Sequence, residues 1–200
     1  NHDKLRGLRH LEIRNCPNIG DDALKNLYNK NFRNLKSIAL EDISFTDIFL
    51  NSISVHADLL NLESLVLIKN SVATESGFER FLSSQYLKNL KSLHLENLEG
   101  CNGNSMKSLA KNKPKLTFIN LATTGEIMNE DFIAMSKSGL FNHVETLIFN
   151  DCSELDNEAI TEIFENQANI SFKNVKMEAE TIFQNQVLVR ISASQNPFFL

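Results

Sequence analysis

Cysteine and histidine are the residue types of this chain that could bind a metal or take part in redox or acid–base chemistry. The three cysteines, Cys16, Cys101 and Cys152, are far apart in the sequence, so their spacing fits neither a disulfide framework nor a metal-binding knuckle. The histidines belong to no recognisable catalytic or ligand motif. These residues therefore predict no catalytic, cofactor or metal site, and we expect that the chain is not an enzyme.

Residues 100–105, Gly-Cys-Asn-Gly-Asn-Ser, superficially resemble a phosphate-binding loop. The segment lacks the Lys-Ser/Thr ending and the strand–loop–helix spacing that a P-loop needs to hold phosphate. A turn is the better interpretation, with Ser105 as the N-cap of a helix through Met106 and Leu109.

Aliphatic residues recur along the chain in a frame of about 26 to 28 residues. The first copy reads Leu8-x-x-Leu11-x-Ile13, which predicts a short strand whose alternate residues point into a core. Acidic residues such as Asp21 and Asp22 then mark the start of a helix. Six copies begin at Leu8, Leu35, Leu62, Leu90, Leu116 and Val144.

This frame resembles the leucine-rich repeat, which implies an α/β solenoid. In such a curved horseshoe, parallel strands line the concave face and helices cover the convex face. We expect one domain over residues 1–200, with clear repeats over about 8–166 and degenerate repeats over 167–200. Two degenerate strands are predicted, one with Ile170 and Phe172 and the other with Leu188, Ile191 and Asn196. Because neither end shows a polar capping repeat, we expect either a fragment of a longer chain or an exposed end that a partner subunit covers.

Segment 16–24, Cys-Pro-Asn-Ile-Gly-Asp-Asp-Ala-Leu, resembles the cysteine-containing repeat class found in many F-box proteins. Segment 152–160, Cys-Ser-Glu-Leu-Asp-Asn-Glu-Ala-Ile, has the same pattern, whereas other repeats replace the cysteine with Ile43, Asn70, Leu98 or Thr124. In that family the repeats select the substrate of a ubiquitin ligase, and a separate F-box, which has no counterpart in this sequence, docks on an adaptor. Cys16 and Cys152 are predicted to be buried structural thiols.

Composition narrows the choice of partner. A net charge of −5, with acidic and basic residues mixed throughout, is not typical of a nucleic-acid-binding face. No stretch approaches the roughly 18 apolar residues of a membrane span. The odd number of separated cysteines favours an intracellular, cytoplasmic location. Another protein is the expected partner, and the sequence leaves the oligomeric state open.

The strand residues between the motif leucines should face the concave surface and be available to a ligand. One predicted row is Glu12, Ala39, Val66, His94, Asn120 and Ile148, and the next is Arg14, Glu41, Ile68, Glu96, Ala122 and Asn150. The predicted protein-binding residues are Glu41, Val66, Ile68, His94, Glu96, Phe118, Asn120 and Ile148. Apolar anchors among polar neighbours are typical of binding hot spots, although scattered surface hydrophobes are the alternative.

Three functions fit this pattern. The first is a protein–protein interaction module, in particular the substrate-recognition repeats of an F-box-like ubiquitin ligase adaptor. The second is a structural or assembly subunit of a large complex. The third is a regulator related to the leucine-rich GTPase activators, whose longer repeats show a regular Asn and Gly spacing that this chain lacks.

Overall fold

Strands and helices alternate six times in the computed structural model, which describes residues 7–28, 34–55, 57–112, 114–122, 126–150, 155–165, 175–182 and 186–193. The strands are β1 His10–Arg14, β2 Ser37–Glu41, β3 Ser64–Asn70, β4 Ser92–Leu98, β5 Phe118–Ala122 and β6 Thr146–Asn150. The helices are α1 Asp21–Tyr28, α2 Asp47–Ser54, α3 Glu75–Leu82, α4 Gly103–Lys111, α5 Asn129–Lys137 and α6 Asn157–Glu165. The alternation confirms the α/β class.

Strands β1 to β6 form a parallel sheet in chain order, so each strand pairs with the strand of the next sequence repeat. The register joins equivalent repeat positions: Ala39 is opposite Val66, and Val66 is opposite His94. Both predicted rows are confirmed as continuous lines across the sheet.

The core lies between the sheet and a single layer of helices. In β3 and β4 the motif leucines, such as Leu67 and Leu95, are buried, whereas the residues between them are partly exposed. Phe132 of α5 packs on Phe149 of β6, with ring centroids 4.8 Å apart in an edge-on arrangement. Each helix from α1 to α5 also contacts the next helix in the chain. One face of the sheet therefore carries the core, and no helix among the described residues covers the other.

The turns at the carboxyl ends of strands β1 to β4 share one backbone conformation. Asn15, Asp42, Lys69 and Asn97 occupy equivalent positions, and their φ angles of 53°, 52°, 57° and 50° are all left-handed. The buried side chain of Asn70 then donates to the carbonyls of Ile43 and Phe45 at 2.8 and 2.9 Å. Its oxygen accepts from the backbone N–H groups of Val72 and Ala73. This single amide connects the turns of two successive repeats.

Hydrogen bonds also link successive helix starts. The Asp21 carboxylate accepts from the backbone N–H of Thr46 at 2.9 Å and from its hydroxyl at 2.5 Å. Asp47 accepts from the same two groups of Thr74, at 2.7 and 2.6 Å. Because each threonine is the N-cap of the next helix, these bonds set the spacing of neighbouring repeats.

Helix α4 begins earlier than the sequence predicts. Asn102, rather than Ser105, is the N-cap, and its side-chain oxygen accepts from the backbone N–H groups of Asn104 and Ser105 at 3.1 and 3.2 Å. Ser105 is buried inside the first turn of the helix. Asparagine is at least as good an N-cap as serine, so the earlier start is physically reasonable.

After α6 the chain forms two antiparallel strands, β7 Val175–Ile182 and β8 Gln186–Ala193, and β8 pairs antiparallel with β6. Leu188 and Ile191 therefore lie in a strand, as predicted, but that strand does not continue the parallel array. The three residues between β7 and β8 are too few for a parallel crossover, which needs a dozen or more. The other predicted positions, Ile170, Phe172 and Asn196, lie outside the described residues.

Candidate protein-binding surface

The open sheet face is the side of β1 to β6 that the helices do not cover. It consists of the two rows defined above together with the preceding row, His10, Ser37, Ser64, Ser92, Phe118 and Thr146. Each of the eight predicted binding residues, from Glu41 to Ile148, lies on this face and is partly exposed. A partner could therefore reach them without unfolding any part of the sheet.

The apolar candidates form two groups instead of one patch. Val66 and Ile68 lie on β3, whereas Phe118 and Ile148 lie on the adjacent strands β5 and β6, with β4 between the two groups. Strands are about 4.8 Å apart, so the groups are separated by roughly 10 Å. A partner that uses both must cross a polar strand.

The polar strand between the two groups is β4, which presents His94 and Glu96. The Nε2 atom of His94 is 2.8 Å from a carboxylate oxygen of Glu96. The two side chains are 23% and 40% exposed, so the pair is held at the surface and remains accessible. Because the pair is already formed, less side-chain entropy is lost when a partner binds over it.

Two further groups of the open face bear on binding. The guanidinium of Arg14 contacts the carboxylates of Glu12 and Glu41, at 2.5 and 2.9 Å. Asn120 lies between His94 and Ile148 in its row, and its side-chain oxygen is buried without a hydrogen-bond partner among the described residues. Leaving such an oxygen unsatisfied costs about 1–3 kcal/mol. The centre of the face is therefore polar but incompletely hydrogen-bonded.

A shallow cleft of about 810 Å³ runs along the amino ends of the strands, beside the open sheet face. We call it the lysine cleft, and its charged residues are Lys36, Glu63, Lys88, Lys91, Lys115 and Glu145. The residues predicted from the sequence to bind a partner do not include those of this cleft. The signal was present, because Lys36, Glu63 and Lys91 each follow the first motif leucine of their repeat.

A carboxylate between two lysines lies in this cleft. Lys36 Nζ is 2.7 Å from one oxygen of Glu63, and Lys91 Nζ is 2.8 Å from the other. The hydrogen bond from Lys36, with a second from Lys91, lowers the pKa of Glu63 from 4.5 to about 2. Glu63 is therefore ionised throughout the physiological pH range.

The cysteines occupy different environments. Cys101 is fully buried, and burial raises its pKa to about 12, so the thiol is a poor nucleophile. Cys16 is only partly buried, contrary to the prediction, since no described strand pairs with the outer edge of β1. Cys152 lies outside the described residues.

Two kinds of feature are absent from the described part of the chain. No group of three or more His, Cys, Asp or Glu side chains there could hold a metal ion. Among the helices of the same residues, none is long and apolar enough to cross a membrane.

Comparison of the sequence with protein-family models gives no match, and comparison with curated proteins gives no significant match.

Proposed function

We propose that the chain is a leucine-rich-repeat module that binds another protein through the open sheet face. The observation that carries this proposal is the register: equivalent positions of six successive repeats form continuous rows on a face without helices. A row of side chains fixed by the backbone is preorganised, which reduces the entropy lost on binding.

The spacing of the two layers favours a curved horseshoe. Neighbouring strands lie about 4.8 Å apart, whereas packed helices need about 8–10 Å between their axes. Because each repeat supplies one strand and one helix, the two layers can remain in step only if the strands lie on the shorter, inner arc. The open sheet face is then concave, a shape that suits a convex partner.

The specific role that we propose is recognition of a ubiquitin-ligase substrate, as in F-box proteins, by a cytoplasmic module that is not an enzyme. Its support is the resemblance of segment 16–24 and segment 152–160 to the cysteine-containing repeat class. The structure is compatible at the first of these segments, where Cys16 follows strand β1 and its thiol lies 3.2 Å from the carbonyl oxygen of Arg14. The mixed apolar and polar composition of the open sheet face is typical of surfaces that recognise proteins.

A permanent assembly subunit is the second candidate function. Large apolar side chains are exposed outside the open sheet face, with Ile48 66%, Val55 69% and Val72 48% exposed. A subunit that is covered on several sides would bury these residues as well. This candidate differs from the first in the surfaces that it uses.

Affinity purification with variants of the two surfaces tests the proposal. The Ile68→Arg, Phe118→Arg double variant places two charges on the open sheet face, and an Ile48→Arg, Val72→Arg double variant is the matched control. Each substitution of Ile68 or Phe118 should weaken partner binding by more than about 1 kcal/mol. Specific partners should therefore be missing from the proteins purified with the first variant and present with the control. Equal recovery with both variants would contradict binding through the open sheet face. Loss of one fixed complex with the control alone would support the assembly subunit.

A further inference from the structure

The lysine cleft differs in charge from the rest of the chain. It contains four lysines and two glutamates and so carries a local charge of +2, whereas the whole chain carries −5. A basic region on an acidic protein creates a local field that attracts negative groups in one place. The charge of the cleft therefore favours an acidic ligand.

The lysines of the cleft differ in how they are paired. Lys36 and Lys91 both contact Glu63, so this trio keeps one positive charge that a single carboxylate cannot neutralise. Lys88 and Lys115 are exposed and form no ion pair with any described residue. These two ammonium groups are free to bind a ligand, and the trio supplies a fixed third positive centre.

The chemistry of the cleft favours carboxylates on a peptide over a nucleic acid. Glu63 and Glu145 lie among the lysines and would repel a continuous line of phosphates, whereas a peptide can place its acidic side chains between them. Nucleic-acid-binding surfaces are usually more strongly and continuously basic. A short acidic segment fits the spaced positive charges better.

The cleft is continuous with the open sheet face. Thr117 lines the cleft, and Phe118, the next residue, is an apolar candidate on the open sheet face. A polypeptide lying in the cleft could therefore place an apolar side chain near Phe118. From these observations we infer that the lysine cleft binds an acidic segment of a partner polypeptide. The inference depends on the proposed function only for the nature of the occupant, which is a protein.

A fluorescein-labelled peptide of ten glutamates is the probe, and fluorescence anisotropy with the full chain is the measurement. The Lys88→Glu, Lys115→Glu variant should weaken binding by at least about tenfold, since it replaces two attractions by two repulsions. A Lys25→Glu, Lys111→Glu variant changes the net charge equally outside the cleft and should stay within about twofold of the natural chain. The difference in peptide affinity between the natural chain and the Lys88→Glu, Lys115→Glu variant should shrink as salt is raised from about 20 to 300 mM.

Three results would overturn the inference. The first is an equal loss of peptide affinity in both charge-reversal variants, and the second is an oligothymidine of equal charge that binds at least as tightly as the peptide. The third is salt-sensitive self-association of the chain that the Lys88→Glu, Lys115→Glu variant abolishes. The third result would identify a second copy of the chain as the occupant. If that variant loses its circular dichroism spectrum, Lys88→Gln, Lys115→Gln replaces it, with an expected weakening of about threefold. The test leaves Ile68 and Phe118 intact, so its failure is distinguishable from failure of the open sheet face.

Discussion

The carboxyl and amino ends of the parallel strands form two rims that are stabilised in different ways. At the carboxyl rim, left-handed turns, the buried Asn70 amide and the bonds that Thr46 donates to Asp21 join successive repeats. At the amino rim, exposed lysines surround Glu63, and two of them have no ion pair with a described residue. The comparison indicates that buried hydrogen bonds join the repeats at the carboxyl rim, whereas exposed ion pairs join them at the amino rim and leave Lys88 and Lys115 accessible to a ligand.

The largest effect is expected at Asn70. Asn70→Ala removes two donated and two accepted hydrogen bonds in a buried turn. The Phe45 carbonyl and the Ala73 N–H lose their partner, whereas the Ile43 carbonyl still accepts from the backbone N–H of Phe45. Since each buried unsatisfied group costs about 1–3 kcal/mol, the free energy of unfolding should fall by more than about 3 kcal/mol. Urea denaturation measures this change.

Asn89→Ala at the amino rim is the matched control. The exposed Asn89 amide donates a single bond of 2.7 Å to the carbonyl of Leu60, so its loss should cost less than about 1 kcal/mol. If Asn70→Ala and Asn89→Ala lower the free energy of unfolding equally, the two rims do not differ in how strongly their side-chain hydrogen bonds stabilise the fold.

The next effect concerns the close approach of α3 to α2. A Cβ atom added at Gly77 would overlap the carboxylate of Asp47, which accepts two bonds from Thr74. Displacing that carboxylate should outweigh the roughly 1 kcal/mol of helix propensity that alanine contributes, so Gly77→Ala should destabilise the chain by about 1 kcal/mol. Thermal and urea unfolding provide the measurement.

Ser76→Ala is the control for this change, because Ser76 is exposed in the same helix. It should be neutral or slightly stabilising through helix propensity. Stabilisation by both alanines would mean that the bonds between Asp47 and Thr74 contribute little.

A smaller effect is expected where a lysine has the left-handed conformation. Lys69 has a φ of 57° at a position where other repeats use Asn15, Asp42 and Asn97. Asparagine tolerates this conformation better, and the exposed Lys69–Asp42 ion pair contributes little. Lys69→Asn should therefore raise the free energy of unfolding by about 0.5 kcal/mol. The reciprocal change, Asn97→Lys, should lower it by a similar amount, and shifts of the same sign in urea unfolding would contradict this explanation.

Sequence periodicity predicts the sheet well, because residues that are paired between neighbouring strands are separated in the sequence by the length of one repeat. The rows through Val66 and Ile68 follow directly once the motif leucines are aligned. The same pattern cannot predict strand direction after α6, because aliphatic residues such as Leu188 fit either a repeat strand or a hairpin strand.

Other features depend on neighbours that one repeat does not specify. The exposure of Cys16 depends on what lies beyond the edge strand β1, and the lysine cleft combines residues from several connections between helix and strand. The eight predicted binding residues lie on one face of the sheet, but their binding role stays a prediction. The separation of the apolar ones into two groups by the polar strand β4 depends on which residue type each strand carries. The sequence is therefore a better guide to the position of a side chain than to the surface it forms.

The smallest effect is a pH dependence at the amino rim. Lysine contacts lower the pKa of Glu63 from 4.5 to about 2, so its ion pairs stabilise the folded chain above pH 4.5, where the carboxyl is also ionised when unfolded. This stabilisation should decrease as pH falls from about 4.5 towards 2, because the unfolded chain then binds the proton more readily.

Glu63→Gln removes the titrating group and is the variant for this measurement. The difference in urea midpoint between the natural chain and Glu63→Gln should be constant above about pH 5.5 and should narrow below pH 4.5. The effect should be small, because the carboxylate is solvent-exposed and salt screens its lysine contacts. A difference that is independent of pH down to pH 2.5 would show that the lysines do not hold Glu63. Glu63 would then be protonated near its ordinary pKa of 4.5, and the lysine cleft would be more positive at low pH than its geometry implies.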